Sequence, residues 1–300
     1  TALEILVSML PAKRQRVLVP DFTFAATALA VIRAGRTPVI MACRSPSMMM
    51  DLTEVKRTAE HYDAILGVVP FGYYRPEIEA LENLSVELGK PLIWDLAGAY
   101  PMIRPFPSAY SLHAAKSLPI GEGGLIRVQT EEERDRARRL SCFGFSDQKT
   151  CMTQRGFNGK MDEIHCAMLV SQLCHWEVHR QRQERLRELI GAYQRALEPY
   201  VWPFGTEVRK GFPSIAALRG LPAAELVRAG AERGITFRPY YAPLLGGQIG
   251  LCGLDRRGGE SSPDLSAIVG FPSDVTPAEF EVVVECAMSV LDGSSKPPVS

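Results

Sequence analysis

Lys116 is the side chain in this 300-residue chain best suited to covalent chemistry. It stands in Ser111-Leu-His113-Ala-Ala-Lys116-Ser-Leu-Pro-Ile-Gly121-Glu-Gly123-Gly124, a short apolar strand followed by a lysine and then glycines. Burying an ammonium is costly and drives its pKa down, so a lysine in such a loop is best explained by use of its amine. A neutral amine attacks carbonyl carbon, which makes a Schiff base the natural chemistry. A surface lysine in a tight loop would produce the same local pattern. Asp95 closes the apolar run Pro91-Leu-Ile-Trp94-Asp95, and an acid at the carboxyl end of a buried parallel strand sits where open α/β sheets bind ligands. It could balance a cation such as a protonated pyridine nitrogen, or simply cap a turn. Thr1 and Ala2 open a helical pattern whose free amides and hydroxyl could hold a phosphate, although on these residues alone Thr1 as an ordinary cap is preferred.

Such groups need a scaffold of strands whose ends converge. Short apolar runs alternate with helical patterns through the first half, the signature of βαβ units and a mostly parallel, covered sheet. Strands are predicted at 17–19, 38–43, 64–70, 92–95, 109–113 and 124–128, with helices at 24–34, 52–60 and 76–88. A highly charged helix is predicted at 131–140 and a long helical stretch at 161–200. Beyond it come apolar runs at 214–218 and 235–241, helices at 223–233 and 277–291, and a flexible loop at 256–263. The expected organisation is a large α/β domain over 1–165, a connecting helix over 166–200 and a smaller α+β domain over 201–300. The chain opens at Thr1 inside an apolar-periodic pattern, so a segment in front of it is expected to be missing.

Composition narrows the partners. Lys plus Arg and Asp plus Glu both number 34, so the formal charge is zero, which favours neither nucleic acid nor a membrane surface. The longest apolar runs fall short of the ~20 residues that cross a bilayer. Seven cysteines without a CxxC pair read as reduced thiols of a cytoplasmic protein. The two histidines of His175-Trp-Glu-Val-His179 share a helical face at a zinc-like spacing, but no third ligand is apparent and a partly exposed helix face is preferred. Met48, Met49 and Met50 are read as loop filler rather than flexible pocket lining.

Taken in order, several stretches resemble the DegT/DnrJ/StrS sugar aminotransferases, which are fold type I pyridoxal-phosphate enzymes. They are Asp21-Phe-Thr23-Phe24-Ala-Ala-Thr27, Ala64 through Pro70-Phe-Gly72, Trp94-Asp95-Leu-Ala, and the Lys116 segment with Gly121-Glu-Gly-Gly124. Gly156-Phe-Asn158-Gly-Lys-Met-Asp162-Glu163 and Gly234-Ile-Thr-Phe-Arg-Pro-Tyr240-Tyr241 continue the likeness. The resemblance implies that Lys116 bonds the cofactor and shuttles the substrate proton, and that Asp95 pairs with the pyridinium nitrogen. Phe24 would lie on the ring face, and Ser111, Thr1 and Ala2 would hold the phosphate. Asn158 would reach it from the other subunit of a homodimer, and His113 and Tyr241 would touch substrate. The implied reaction moves an amino group from glutamate or glutamine onto a keto sugar, nucleotide-linked, with pyridoxal 5'-phosphate as cofactor.

One position departs from the pattern. Gly98 stands where the family commonly has Gln or His three residues after the pyridine-pairing aspartate, so another group must meet the cofactor's phenolic oxygen or its electronics differ. The segment after the second strand, Met41-Ala-Cys43-Arg44 through Asp51, is also unusual. A non-catalytic sensor or partner-binding member of the same fold is therefore one alternative. A pyridoxal-phosphate sugar dehydratase is another, opposed by the retained Lys116, since a histidine takes that place in the dehydratases.

Overall fold

The computed structural model describes residues 1–145, 151–198 and 211–293. In the first half the strands are β1 (Arg16–Pro20), β2 (Thr37–Met41), β3 (Cys43–Arg44), β4 (Met49–Met50), β5 (Ala64–Val68), β6 (Leu92–Asp95), β7 (Ser108–Ser111) and β8 (Gly124–Arg127). Between them run helices α1 (Ala2–Met9), α2 (Ala26–Arg33), α3 (Leu52–Arg57), α4 (Glu77–Glu87) and α5 (Glu131–Ser141). The second half adds α6 (Glu163–Cys174), α7 (Trp176–Ala196), β9 (Ala216–Leu218), α8 (Ala223–Glu232), β10 (Arg238–Tyr240), β11 (Asp255–Arg257), β12 (Ile268–Phe271) and α9 (Pro277–Gly293).

Among the described residues a seven-stranded sheet runs β11-β2-β1-β5-β6-β7-β8. All neighbours are parallel except β7 and β8, so the sheet is the covered, mostly parallel kind that the apolar runs predict. Alternation along the strands sorts the core into two layers. Leu18, Ile65 and Trp94 pack on one face, and Val17, Val19, Leu66 and Ile93 on the other. Gly67 is required by this packing, because a Cβ there would lie 2.6 Å from the Trp94 ring. Trp94 is held in turn by Nε1 donating to Glu82, whose carboxylate also takes two hydrogen bonds from Arg104. Strand order reverses at β1, and the neighbouring carboxyl ends open the crevice in which such sheets bind ligands. A second, antiparallel sheet runs β10-β12-β9.

Three expectations are corrected. The long helix over 161–200 is two helices, broken at His175, whose φ of −104° and ψ of 38° are not helical; its end at 200 lies outside the described residues. The loop expected to be flexible at 256–263 begins instead inside β11, paired with β2 through Asp255–Val39, Arg256–Ile40 and Arg257–Met41. The stretch 201–300 therefore lends a strand to the large sheet. Met48, Met49 and Met50 are no loop filler: all three are buried in the main core.

Local signals explain the helix starts. Asp51 caps α3, accepting from the Thr53 and Glu54 amides. Thr130 and Glu133 form a reciprocal capping box at α5. Asp162 accepts from the His165 amide at the start of α6.

Candidate active site

The carboxyl ends of β1, β5, β6 and β7 converge on one open cleft of ≈ 1230 Å³. Asp95, the last residue of β6, is only 6 % exposed. Its Oδ1 accepts from the Ala97 amide at 3.0 Å, and its Oδ2 from Thr27 Oγ1 at 2.9 Å. Thr27 is fully buried in the first turn of α2, and its hydroxyl lies 2.8 Å from that of Thr23. Because the Thr27 proton goes to a carboxylate, Thr23 must donate to Thr27. Two hydroxyls in series thus fix the orientation of Asp95.

Burial pushes the Asp95 carboxyl above its ordinary value, against the Ala97 amide, the Thr27 hydroxyl and the charge of Lys116. Lys116 follows β7 and lines the same cleft. Burial lowers its pKa, and the charge of Asp95 partly restores it. The charge of each group thus acts on the other, and burial disfavours the charged form of both. Lys116 and Asp95, attached to separate strands in the sequence, border the same cleft.

The start of α1 borders the same cleft. Thr1 is its N-cap, yet its side chain makes no capping hydrogen bond, which leaves the hydroxyl for a ligand. Two glycines pack around this end: a Cβ on Gly124 would lie 3.1 Å from that of Ala2, and one on Gly159 3.0 Å from Thr1 Cγ2. Ser111, half-buried at the end of β7, lines the cleft with Thr1 and Ala2. Asn158 borders the cleft of its own chain, its Oδ1 accepting from Lys160 Nζ at 2.5 Å.

An aromatic wall completes the cleft. Phe22, Phe71, Tyr240 and Tyr241 pack on one another, with Phe71 and Tyr241 stacked at 6.2 Å. Burial and the charge of Asp95 push the Tyr241 phenol upward, so it stays a neutral donor. Phe24, by contrast, is 65 % exposed at the mouth, 6.4 Å from the Tyr241 ring, a large apolar face open to a planar ligand. His113 is exposed on the same rim, its Nδ1 accepting from the Ala115 amide.

All the candidate residues therefore border one cleft. Sequence reasoning singled out neither Thr27 nor Ser214, which lines the floor beside Gly98. The signal for Thr27 was present: a threonine on the apolar face of a helix needs a hydrogen-bond partner when buried. His175 and His179 do not converge. His175 Nδ1 bonds the Ser171 carbonyl, while His179 is buried against Trp176. Among the described residues no group of three His, Cys, Asp or Glu could hold a metal. The donor set fits pyridoxal phosphate: a lysine for its aldehyde, a buried acid for its ring nitrogen, helix-start amides and hydroxyls for its phosphate, and an aromatic face for its ring.

Fold and cleft together define a doubly wound α/β protein with an amine and a carboxylate set against each other at the strand ends. Residues 1–248 match the DegT/DnrJ/EryC1/StrS aminotransferase family, to which the chain belongs. The erythromycin biosynthesis sensory transduction protein EryC1 of Saccharopolyspora erythraea is 30 % identical over 177 residues, 55 % of this chain and 48 % of that protein. A UDP-4-amino-4,6-dideoxy-N-acetyl-beta-L-altrosamine transaminase of Campylobacter jejuni is 24 % identical over 215 residues, 67 % of this chain and 56 % of that one. The chain thus spans about half the length of these curated relatives. In fold it is similar to DesV of S. venezuelae, solved in complex with a ketimine intermediate, at a TM-score of 0.85 and 22 % identity, covering 98 % of this chain and 83 % of that one. Helicobacter pylori PseC, an aminotransferase of pseudoaminic acid biosynthesis, gives a TM-score of 0.81 at 19 % identity, covering 98 % and 85 %.

Proposed function

We propose that this chain carries the cofactor cleft of a pyridoxal-phosphate-dependent aminotransferase that moves an amino group from glutamate or glutamine onto a nucleotide-linked keto sugar. The observation that carries the reading is that a lysine, Lys116, and a buried carboxylate, Asp95, border one cleft at the strand ends together with the start of α1. When bound, the cofactor supplies an aldehyde carbon and an electron-withdrawing ring. Asp95, oriented by Thr27, holds a proton at the ring nitrogen. Lys116 Nζ, whose pKa burial lowers, would carry the proton between the substrate carbon and the cofactor's aldehyde carbon. Thr1, Ala2 and Ser111 anchor the phosphate, and Phe24 covers the ring. The rim carries Arg138 and Arg238, which supports an anionic acceptor such as a sugar diphosphate, while Arg33 beside them is paired with Glu4 at 3.2 Å.

A second copy of the chain is the expected partner. Helix α6 has no buried residue, and Ile164, Met168, Val170 and Leu173 stand exposed along it. Such a patch is what an interface between subunits would cover, and Asn158 lies shortly before it. The cysteines described are all free, in keeping with a cytoplasmic setting.

The test is to add pyridoxal phosphate to purified protein and look for a visible absorption band, then supply an amino donor and keto sugars with mass detection of the product. Lys116→Ala should abolish the band; a band that survives it removes this mechanism. Loss of a sugar hydroxyl without amino transfer would point to the dehydratase reading. Full-length protein that binds the cofactor yet never transfers an amino group from any donor would favour the sensor reading.

A further inference from the structure

We propose that the hydroxyl of Ser214 serves as the hydrogen-bond donor at the position a side chain on residue 98 would otherwise occupy, meeting the ionised ring oxygen of pyridoxal phosphate. The inference rests on the cofactor placement proposed above. Gly98 follows Asp95 by three residues and lines the cleft, but it has no side chain to offer. A Cβ built on it would lie 2.8 Å from Ser214 Oγ, closer than real Cβ contacts, so residue 98 and Ser214 compete for one space. The next atoms that Cβ would meet are those of the Phe71 backbone, at an ordinary 3.6 Å.

Ser214 comes from a distant part of the sequence, yet its position is tightly set. Its amide donates to the Phe71 carbonyl at 2.8 Å, and the Phe212 amide to the Gly72 carbonyl at 2.8 Å. Tyr73 ties the next residues, donating to the Ile215 carbonyl and accepting from the Ala217 amide. Among the described residues the Ser214 hydroxyl makes one hydrogen bond, a long 3.3 Å contact to the carbonyl already taken by its own amide. Its proton is therefore cheaply redirected to a better acceptor. The cofactor offers one: its ionised oxygen sits two ring atoms from the nitrogen that Asp95 would face. A donor beside the Asp95 loop meets that edge of the ring.

The measurement is the pH titration of the visible band of the holoprotein. A donor to the ring oxygen competes with that oxygen's internal hydrogen bond to the imine nitrogen and so lowers the imine's pKa. Ser214→Ala should raise the midpoint by about one to two pH units, the size of a hydrogen bond to a charged group. Ser214→Thr should leave it near the wild-type value. Gly98→Ala, which drives the hydroxyl from its place, should raise the midpoint alone but add nothing in the Ser214→Ala background. Superimposable titrations of wild type, Ser214→Ala and Gly98→Ala overturn the assignment, as does additivity of the two changes. Should either single variant fail to bind the cofactor, the other carries the same comparison. If the wild type shows no band, or one that survives Lys116→Ala, it is the cofactor placement that fails instead.

Discussion

Two aspartates at the carboxyl ends of strands of one sheet, Asp21 after β1 and Asp95 closing β6, with β5 between them, are both buried, at 1 % and 6 % exposure. They are used in opposite ways. Asp21 is consumed by the protein. Its Oδ1 accepts from the Gly246 amide at 2.7 Å, and its Oδ2 from Ser261 Oγ at 2.7 Å, with the Arg256 guanidinium at 3.5 Å. Asp95 accepts from one amide and one hydroxyl, and its charge is opposed only by a lysine across the cleft. A buried carboxylate is therefore not in itself a mark of chemistry. What distinguishes the second is the unmet demand for a cation, which the fold leaves open to a ligand.

Exchanging each carboxylate for its amide breaks the comparison if the two are alike. Asp95→Asn should cost the larger effect on function, lowering turnover by ~10²–10⁴-fold while leaving the fold intact. Because burial holds the Asp95 carboxyl above 3.8, the folded apoprotein loses stability as pH rises through the interval above that value. Asp95→Asn removes this loss, so its apo Tm at neutral pH should equal or exceed that of the wild type by calorimetry.

Asp21→Asn should do the reverse. It leaves Ser261 and Arg256 facing an amide and should lower stability by about 1–3 kcal/mol in denaturant titrations, with cofactor capture retained. A folded Asp21→Asn that loses the cofactor would erase the distinction. Thr27→Val sharpens it: with its hydroxyl donor gone, Asp95 should hold the cofactor about tenfold more weakly, measured by equilibrium titration of the visible band. The smallest effect concerns pH. Burial lowers the Lys116 pKa, so the rate of cofactor capture should reach half its maximum below pH 10.5, the ordinary lysine value; a midpoint at or above that value contradicts a partly buried amine.

Much of the sheet was legible because its strands are apolar on both faces and bounded by turns. Lys116 and Asp95 were legible for a related reason, as ionisable residues attached to such runs. What escaped detection depends on contacts across long sequence separations. β11 reads as a polar Asp-Arg-Arg loop, and only the edge of β2 makes it a strand. The break at His175 is hidden in a continuous helical pattern, since no glycine or proline marks it. Met48, Met49 and Met50 look like filler because three adjacent methionines carry no period, although the 43–50 hairpin buries all three. Ser214 has no local signal at all, and its place follows from the backbone bonds of 212–214 to 71–72.

Those same long-range bonds carry a consequence for how the molecule is built. The outer edge of β2 is covered only when Asp255–Arg257 arrives, Asp21 waits for Ser261, and the cleft floor waits for Ser214. Contacts of such sequence separation make closure of the chain slow relative to local structure. During synthesis the first two hundred residues would present an uncapped sheet edge and an aspartate without its partners. The cofactor cleft is thus among the last features to form, and a chain cut before Ser214 should lack a working site even with Lys116 and Asp95 intact.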